Sequence, residues 1–413
     1  MPTDPFSAEH TALTRRYFLG LGAAGAAALG MTGGSVAGEP RHPRLQAAID
    51  ALEPWLTPAD AFRDVSRGTP VPHTLNDEQR QQAGLTRETW KLEVISDPDQ
   101  PAKLKTELTT ANGTALDFAG LMQLAEQHAV RFAKVMTCLN IGCPLGTGIW
   151  EGVPLREVLW LTQPRENLRR VYYHGFHNND PEQLFQSSLP VSRVLEDPFD
   201  LPPVILCYKL NGEWLTPERG GPVRVVVPEA YGFKSIKWLK TIVLSNLFYA
   251  NDTYGEKNND VDSPLKSFAA TLNPPMKADP DAAIPITGYA QVGISGVSKV
   301  QVWIQNDADT ADHGRYFADA PWLDADILPP PSNWGSEIPL PTLGFERESG
   351  RPLSWPMRLT KVHWATLHPG LPAGDYTLHC RTIDDRGIAQ PMPRPFQKSG
   401  HAAIENVALK VGE

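Results

Sequence analysis

Proline is the strongest constraint on this chain. It occurs 39 times in 413 residues, beside 33 glycines. Proline lacks a backbone N–H and disrupts helix interiors, while glycine marks turns. Punctuation at this density favours short strands and long connections over helical bundles. The length suggests two or three domains. A hydrophobic share of 41% with 21% charged residues describes a packed globular protein, not a disordered one. The net charge of −9 argues against a nucleic-acid binder, which needs a basic stripe. Four cysteines are too few for a disulfide-dense scaffold.

The first 37 residues read as an address. Thr14-Arg15-Arg16-Tyr17-Phe18-Leu19-Gly20 opens a run of Gly, Ala, Leu and Met that reaches Met31, and Ser35-Val36-Ala37 is a small-residue stop. The run from Tyr17 to Met31 falls short of the ~20 residues of a spanning helix. Residues 1–37 therefore predict a twin-arginine signal, a periplasmic destination and no membrane span in the mature chain. A retained helical anchor is the alternative. The twin-arginine route carries folded proteins, which suits a cofactor inserted before export. Asp4, Glu9, Arg15 and Arg16 cancel, so the mature protein keeps its −9.

Residues 38–85 form a proline-rich extension with one helical stretch, Leu45–Leu56. Residues 86–250 read as mixed α+β. Trp90–Val94 alternates as a strand, Phe118–Ala133 has helical spacing, and Lys134–Leu139 is a short buried strand. Pro154 opens a helix, and Val204–Lys209, Val223–Val227 and Thr241–Leu244 are strands. Residues 251–283 are a polar connector. From 284 to 413 the pattern is all-β, with strands Ile284–Gln291, Lys299–Gln305 and Tyr376–Ile383, and a long aperiodic interval at 307–358. The fold class is α+β: a mixed α/β domain followed by an all-β, immunoglobulin-like sandwich.

Several catalytic motifs are missing from the sequence. It has no glycine-rich phosphate loop between strand and helix, no His-Glu-x-x-His, no Gly-x-Ser-x-Gly, and no Cys-x-x-Cys-His for covalent haem. Cys207 and Cys380 lie inside strands and read as small core residues. Cys138 differs, because it ends an apolar run and opens into Leu139-Asn140-Ile141-Gly142-Cys143-Pro144. A thiolate there suits a thiophilic metal. A Cys138–Cys143 disulfide and a buried inert thiol are the other readings. Downstream, Arg219, Arg224, Lys234 and Lys237 fall within 19 residues, interleaved with glycines and a β-branched run. Such a cluster offers donors to a phosphate, although a solvated charge run would look similar.

Three blocks then carry a resemblance. Thr137-Cys138-Leu139-Asn140 with Trp150-Glu151-Gly152-Val153-Pro154-Leu155 is the first, and Tyr208-Lys209-Leu210-Asn211-Gly212-Glu213-Trp214-Leu215 the second. Pro222-Val223-Arg224-Val225-Val226-Val227-Pro228 with Lys237-Trp238-Leu239 is the third. In this order and spacing they resemble the sulfite oxidase family of molybdopterin enzymes. The likeness covers about residues 60–413, because the module from 284 onward resembles that family's dimerisation domain. It makes 86–250 the cofactor domain and 284–413 a surface for pairing two chains.

The resemblance implies that Cys138 is the thiolate ligand of molybdenum, with a pyranopterin dithiolene supplying further sulfur. It implies that Arg219, Arg224, Lys234, Ser235 and Lys237 hold the pterin phosphate, although Arg219 stands where a His is common. Asn140 and Arg67 match cofactor-side positions. Tyr173 and His174, with Tyr172 and His177 nearby, are candidate donors to the reacting centre. Three departures bear on substrate. Phe185 stands where sulfite oxidases carry a Tyr, Ile141-Gly142-Cys143-Pro144 replaces Arg residues after the ligand, and Arg67-Gly68-Thr69 replaces an Arg-Asn-His run. The expected activity is oxygen-atom transfer, with sulfite oxidation as the default and sulfoxide or N-oxide reduction as the alternative. A non-catalytic exported binding protein is the third reading. Without a haem motif in the chain, electrons pass to or from a separate protein such as a cytochrome.

Overall fold

The structure is a computed structural model that describes residues 41–139, 142–198, 201–250, 253, 261–391 and 402–412. The twin-arginine segment and Asn140 lie outside the described residues. Two sheets make the first domain. One runs Leu116–Asp117, Lys91–Ser96, Leu239–Ser245, Arg170–Gly175 and Gln186–Pro190, with Lys91–Ser96 parallel to Leu239–Ser245 and the other neighbours antiparallel. The other runs Val130–Cys138, Cys143–Pro154 and Ile205–Leu210, and both Glu213–Trp214 and Arg224–Val226 pair with Ile205–Leu210. Leu92, Val94, Val171, Tyr173, Leu206 and Ile242 meet in its main core.

Local chemistry explains the elements. Asp117 caps the helix Phe118–His128 by accepting from the Gly120 N–H at 2.8 Å. The expected helix over Phe118–Ala133 ends early, at His128. The chain turns extended at Ala129 and becomes the strand Val130–Cys138, which is buried at most positions. A strand covered on both faces loses its alternation, so its first half reads as more helix. The same burial hides Cys143–Pro154, a twelve-residue strand that the sequence reading did not expect. Gly152 there allows close approach, since a Cβ would lie 2.3 Å from the Leu206 carbonyl oxygen. The helical stretch expected over Leu45–Leu56 spans Pro43–Asp50.

The second unit is one eight-stranded path folded as a sandwich. Its order is Phe268–Leu272, Ile284–Gln291, Lys361–His368, Leu323–Ile327, Lys299–Asn306, Gly374–Ile383, Glu405–Val411 and Lys277–Ala278. Ile286, Val300, Val302, Trp364, Leu378 and Cys380 fill its interior. Two parts of the sequence reading change. Phe268–Leu272 lies within the stretch read as connector, yet pairs along its length with Ile284–Gln291. The aperiodic interval contributes Leu323–Ile327, whose first residues pair with one sheet (Val300↔Ala325) and whose last pair with the other (Ile327↔Trp364).

The extension packs on both units. The Trp55 indole donates to the Lys361 carbonyl at 2.7 Å, the Thr57 N–H to the Thr147 carbonyl at 2.8 Å, and the Arg63 N–H to the Leu145 carbonyl at 2.9 Å. These bonds lay residues 62–68 over the end of the Cys138 strand.

Candidate active site

Backbone pairing places Cys138. Its strand pairs antiparallel with Cys143–Pro154 from Val130↔Gly152 to Cys138↔Cys143, with an irregularity between Met136 and Thr137. The outer edge of the strand is held by the sandwich unit: the Val135 N–H donates to the Leu359 carbonyl at 2.8 Å. The Thr137 hydroxyl donates to the Gln291 side-chain oxygen, and the Gln291 amide donates to the Lys266 carbonyl at 2.7 Å. At the strand's end Cys138 and Leu139 line a cavity of about 340 Å³. All four cysteines are free, so the disulfide reading is not realised in this state.

Three of the expected cations line the same cavity: Arg219, Arg224 and Lys237, together with Ser235. Arg224 is 4% exposed. Its Nη1 donates to the Arg219 carbonyl at 2.9 Å and its Nη2 to the Ser235 carbonyl at 2.6 Å, while the guanidinium lies 5.3 Å from the Trp150 ring centre. Its Nε is buried without a hydrogen-bond partner. Burial pushes its pKa down to about 10. Arg219 donates to the carbonyls of Phe62 and Arg63 at 2.9 and 3.1 Å. Lys237 Nζ reaches Asp64 at 2.7 Å, Ser66 at 2.8 Å and the Glu218 carbonyl at 2.7 Å. Burial, with the charge of Arg224, pushes Lys237 down to about 8. Burial opposes ionisation of Asp64, but hydrogen bonds from Lys237 and Ser66 outweigh it and hold the carboxyl at about 2.

The other expected site residues divide. Arg67 lines the cavity from the extension, with its guanidinium 4.6 Å from the Phe185 ring centre. Lys234 does not line it. Its ammonium is fully buried and donates to the Ser188 carbonyl at 2.8 Å, so it ties the turn 232–234 to the first sheet. Tyr173 is also fully buried, in the main core, and its hydroxyl donates to the Lys234 carbonyl at 2.8 Å. His174 packs edge-on against His177 at 5.5 Å, and burial lowers its pKa. His177, two residues beyond the strand, is the imidazole that faces the cavity. A strand alternates its faces, so neighbours along 170–175 cannot all point to one site.

Phe62, Arg63, Val65 and Ser66 are the residues the sequence reading missed, along with Gln183. They come from the extension and from the connection after His177. The Thr69 N–H donates to the Gln183 side-chain oxygen at 2.8 Å and the Asn178 amide to the Pro70 carbonyl at 2.9 Å, which clasps these two segments together. The charged run Arg63-Asp64-x-Ser66-Arg67 was the available signal, set in proline-rich text that reads as linker.

A family model for an oxidoreductase molybdopterin binding domain matches residues 80–251. A sulfite oxidase of Arabidopsis thaliana is 24% identical over 321 residues, covering 67% of this chain and 77% of that protein. Residues 80–251 thus match a molybdopterin-binding oxidoreductase domain, and the chain as a whole is similar to sulfite oxidase. The nitrate reductase of Beauveria bassiana is 29% identical over 29% of this chain and 13% of its own length, and that of Pichia angusta 34% over 24% and 11%. The chain thus spans a small part of these longer relatives. Among solved structures, the sulfane dehydrogenase SoxCD of Paracoccus pantotrophus shares the fold over 93% of this chain and 96% of its own, with a TM-score of 0.54 and 14% identity.

The residues at this site fit a molybdopterin cofactor. Buried Arg224 has an orphaned Nε and no carboxylate ion pair among the described residues, which suits an incoming anion such as a phosphate. Among those residues no group of three or more His, Cys, Asp or Glu side chains is placed to hold a metal ion. Cys138 therefore offers one soft ligand, as suits a metal whose other ligands arrive on an organic cofactor. Among the described residues no helix is long and apolar enough to cross a membrane.

Proposed function

We propose that this chain is an exported molybdenum oxidoreductase that transfers an oxygen atom to or from a small substrate, with sulfite oxidation as its default reaction. One observation carries the reading: Cys138 shares a single cavity with Arg219, Arg224 and Lys237. When bound, the molybdenum–pterin group supplies a two-electron centre able to accept or give an oxygen atom. Cys138 holds the metal through its thiolate. Arg224 and Arg219 bind the anionic end of the cofactor, and Lys237 adds a compact charge beside them. Arg67 and Arg63 offer donors to an oxyanion from the extension side. His177 is the cavity-facing imidazole, whose ring nitrogens can hydrogen-bond to a bound substrate. Phe62, Phe176, Phe185 and Phe233 exclude water, which strengthens these charged contacts.

The aromatic lining also supports a second reading. Phe185, where a phenol stands in sulfite oxidases, faces the cavity beside Phe176 and Phe233 and suits a neutral sulfoxide or N-oxide. The paired arginines at 15–16 support export, and the lack of a haem motif in the sequence supports a separate electron carrier such as a cytochrome. The sandwich surface is proposed to pair two chains.

The test is metal and pterin analysis of protein purified through its export route, then turnover of sulfite, sulfoxides and N-oxides with artificial electron carriers. One molybdenum per chain and preferential sulfite turnover are expected. Preferential sulfoxide turnover establishes the second reading. A chain without molybdenum or pterin overturns both.

A further inference from the structure

The geometry points to a second state of the Cys138 hairpin: in the metal-free chain, Cys143 closes a disulfide with Cys138 and withdraws the ligand sulfur from metal binding. This rests on the reading of Cys138 as the metal ligand. The two cysteines are direct cross-strand partners at the end of an antiparallel pair, so their side chains share one face. Directly opposed residues have Cβ atoms ~4.5–5.5 Å apart, and a disulfide needs ~3.5–4.5 Å. Closing the bond therefore asks for about an ångström of movement where the hairpin turns. Both thiols are free and half-buried.

The surroundings assign each sulfur a part. Cys138 opens on the cavity, where a small reagent reaches it. Cys143 Sγ accepts from Arg63 Nη1 at 3.2 Å, so a cation stands beside the attacking sulfur. Cys207 and Cys380 are fully buried in separate cores, and burial holds both thiols in the unreactive protonated form, Cys207 at about 12 and Cys380 raised as well.

The oxidant is a small-molecule disulfide. The Cys138 sulfur attacks it, the reagent S–S bond breaks, and one thiol leaves. The Cys143 sulfur then attacks the Cys138 sulfur of the mixed disulfide, and the second thiol leaves. Two protein thiols are oxidised to one disulfide, the reagent is reduced to two thiols, and the two cysteine protons pass to the leaving groups. The Cys138 sulfur in that bond has no thiolate left to give to a metal, and a metal on Cys138 denies Cys143 its partner. The two occupants exclude each other.

The experiment uses the full chain purified from molybdenum-starved cells. The folded chain is incubated with oxidised glutathione, alkylated and mapped by mass spectrometry without reduction. Two of its four thiols are expected to disappear, with Cys138 and Cys143 joined and no adduct retained. Cys143→Ser is expected to keep glutathione on Cys138. Both chains are then offered molybdate and released molybdopterin, and bound molybdenum is measured. Oxidised wild type should bind no more than Cys138→Ser until dithiothreitol restores uptake. Four surviving thiols, or a stable adduct on wild-type Cys138, overturns the disulfide and leaves the ligand reading intact. A complete Cys138–Cys143 disulfide with full molybdenum uptake overturns the mutual exclusion and the ligand reading together.

Discussion

Arg224 has two structural tasks that a lysine cannot share. Its fork spans the carbonyls of Arg219 and Ser235, and among the described residues no carboxylate pairs with its charge at the cavity wall. Arg224→Lys keeps the charge and leaves one of these carbonyls unpaired, which costs about 1–3 kcal/mol. The urea midpoint of the variant is expected to fall accordingly, and its bound molybdenum to fall with it. Unchanged molybdenum content would remove Arg224 from the cofactor's anion site. Asp64 makes a pH prediction. Its carboxyl is held at about 2 in the folded chain against an ordinary 3.8. A depressed carboxylate stabilises the fold above its unfolded value, and that contribution is lost as pH falls through the folded value. Between about pH 4 and about pH 2, wild type should therefore lose more stability than Asp64→Asn, read as tryptophan fluorescence against urea. Parallel curves would show that the Lys237–Asp64 contact does not stabilise the fold.

The Cys138 strand is fixed from three sides, and only one of them could be read in the sequence. The apolar run predicted a buried strand ending near Cys138. The edge bond to Leu359 and the Gln291 bridge join residues more than 150 positions apart, and no local pattern encodes them. Lys134, four residues before Cys138, is fully buried and donates to the carbonyls of Pro228 and Ala230, both at 2.8 Å, so the strand also carries the turn leading to Gly232. Gln291→Ala strips partners from the Thr137 hydroxyl and the Lys266 carbonyl, at about 1–3 kcal/mol for each buried group left unsatisfied. The expected outcome is a lower thermal midpoint with faster hydrogen exchange at Thr137 and Cys138. Exchange confined to the sandwich unit would show that the bridge does not support the strand. Motif spacing anticipated that Arg219, Arg224, Ser235 and Lys237 come together at one cavity, because they follow one another along a short stretch of chain. It did not anticipate that Tyr173 and Lys234 lie in the core away from that cavity, because a sequence names neighbours without saying which face of an element each one takes.

At the scale of the molecule, the order of a mixed domain before a β-sandwich was legible from the change in periodicity near 284. The role of Leu323–Ile327 was not, since its residues are mostly exposed and show no apolar rhythm. That strand occupies an edge of both sandwich sheets, and edge strands left open invite pairing with another chain. Ala325→Pro should release it from Val300 and uncover an edge, giving concentration-dependent association in sedimentation beyond that of the unsubstituted chain. No added association would mean the edge is protected by other means.

The strip from Glu53 to Arg67 crosses the molecule in one pass. Trp55 is bonded to the sandwich, Thr57 and Arg63 to the Cys138 sheet, and Asp64 to Lys237. Its residues Phe62, Arg63, Val65, Ser66 and Arg67 line the cavity, so a group bound there has this strip for one wall. Opening that wall would mean breaking the Trp55, Thr57, Arg63 and Asp64 bonds together, which makes it an event of local unfolding and not of side-chain motion.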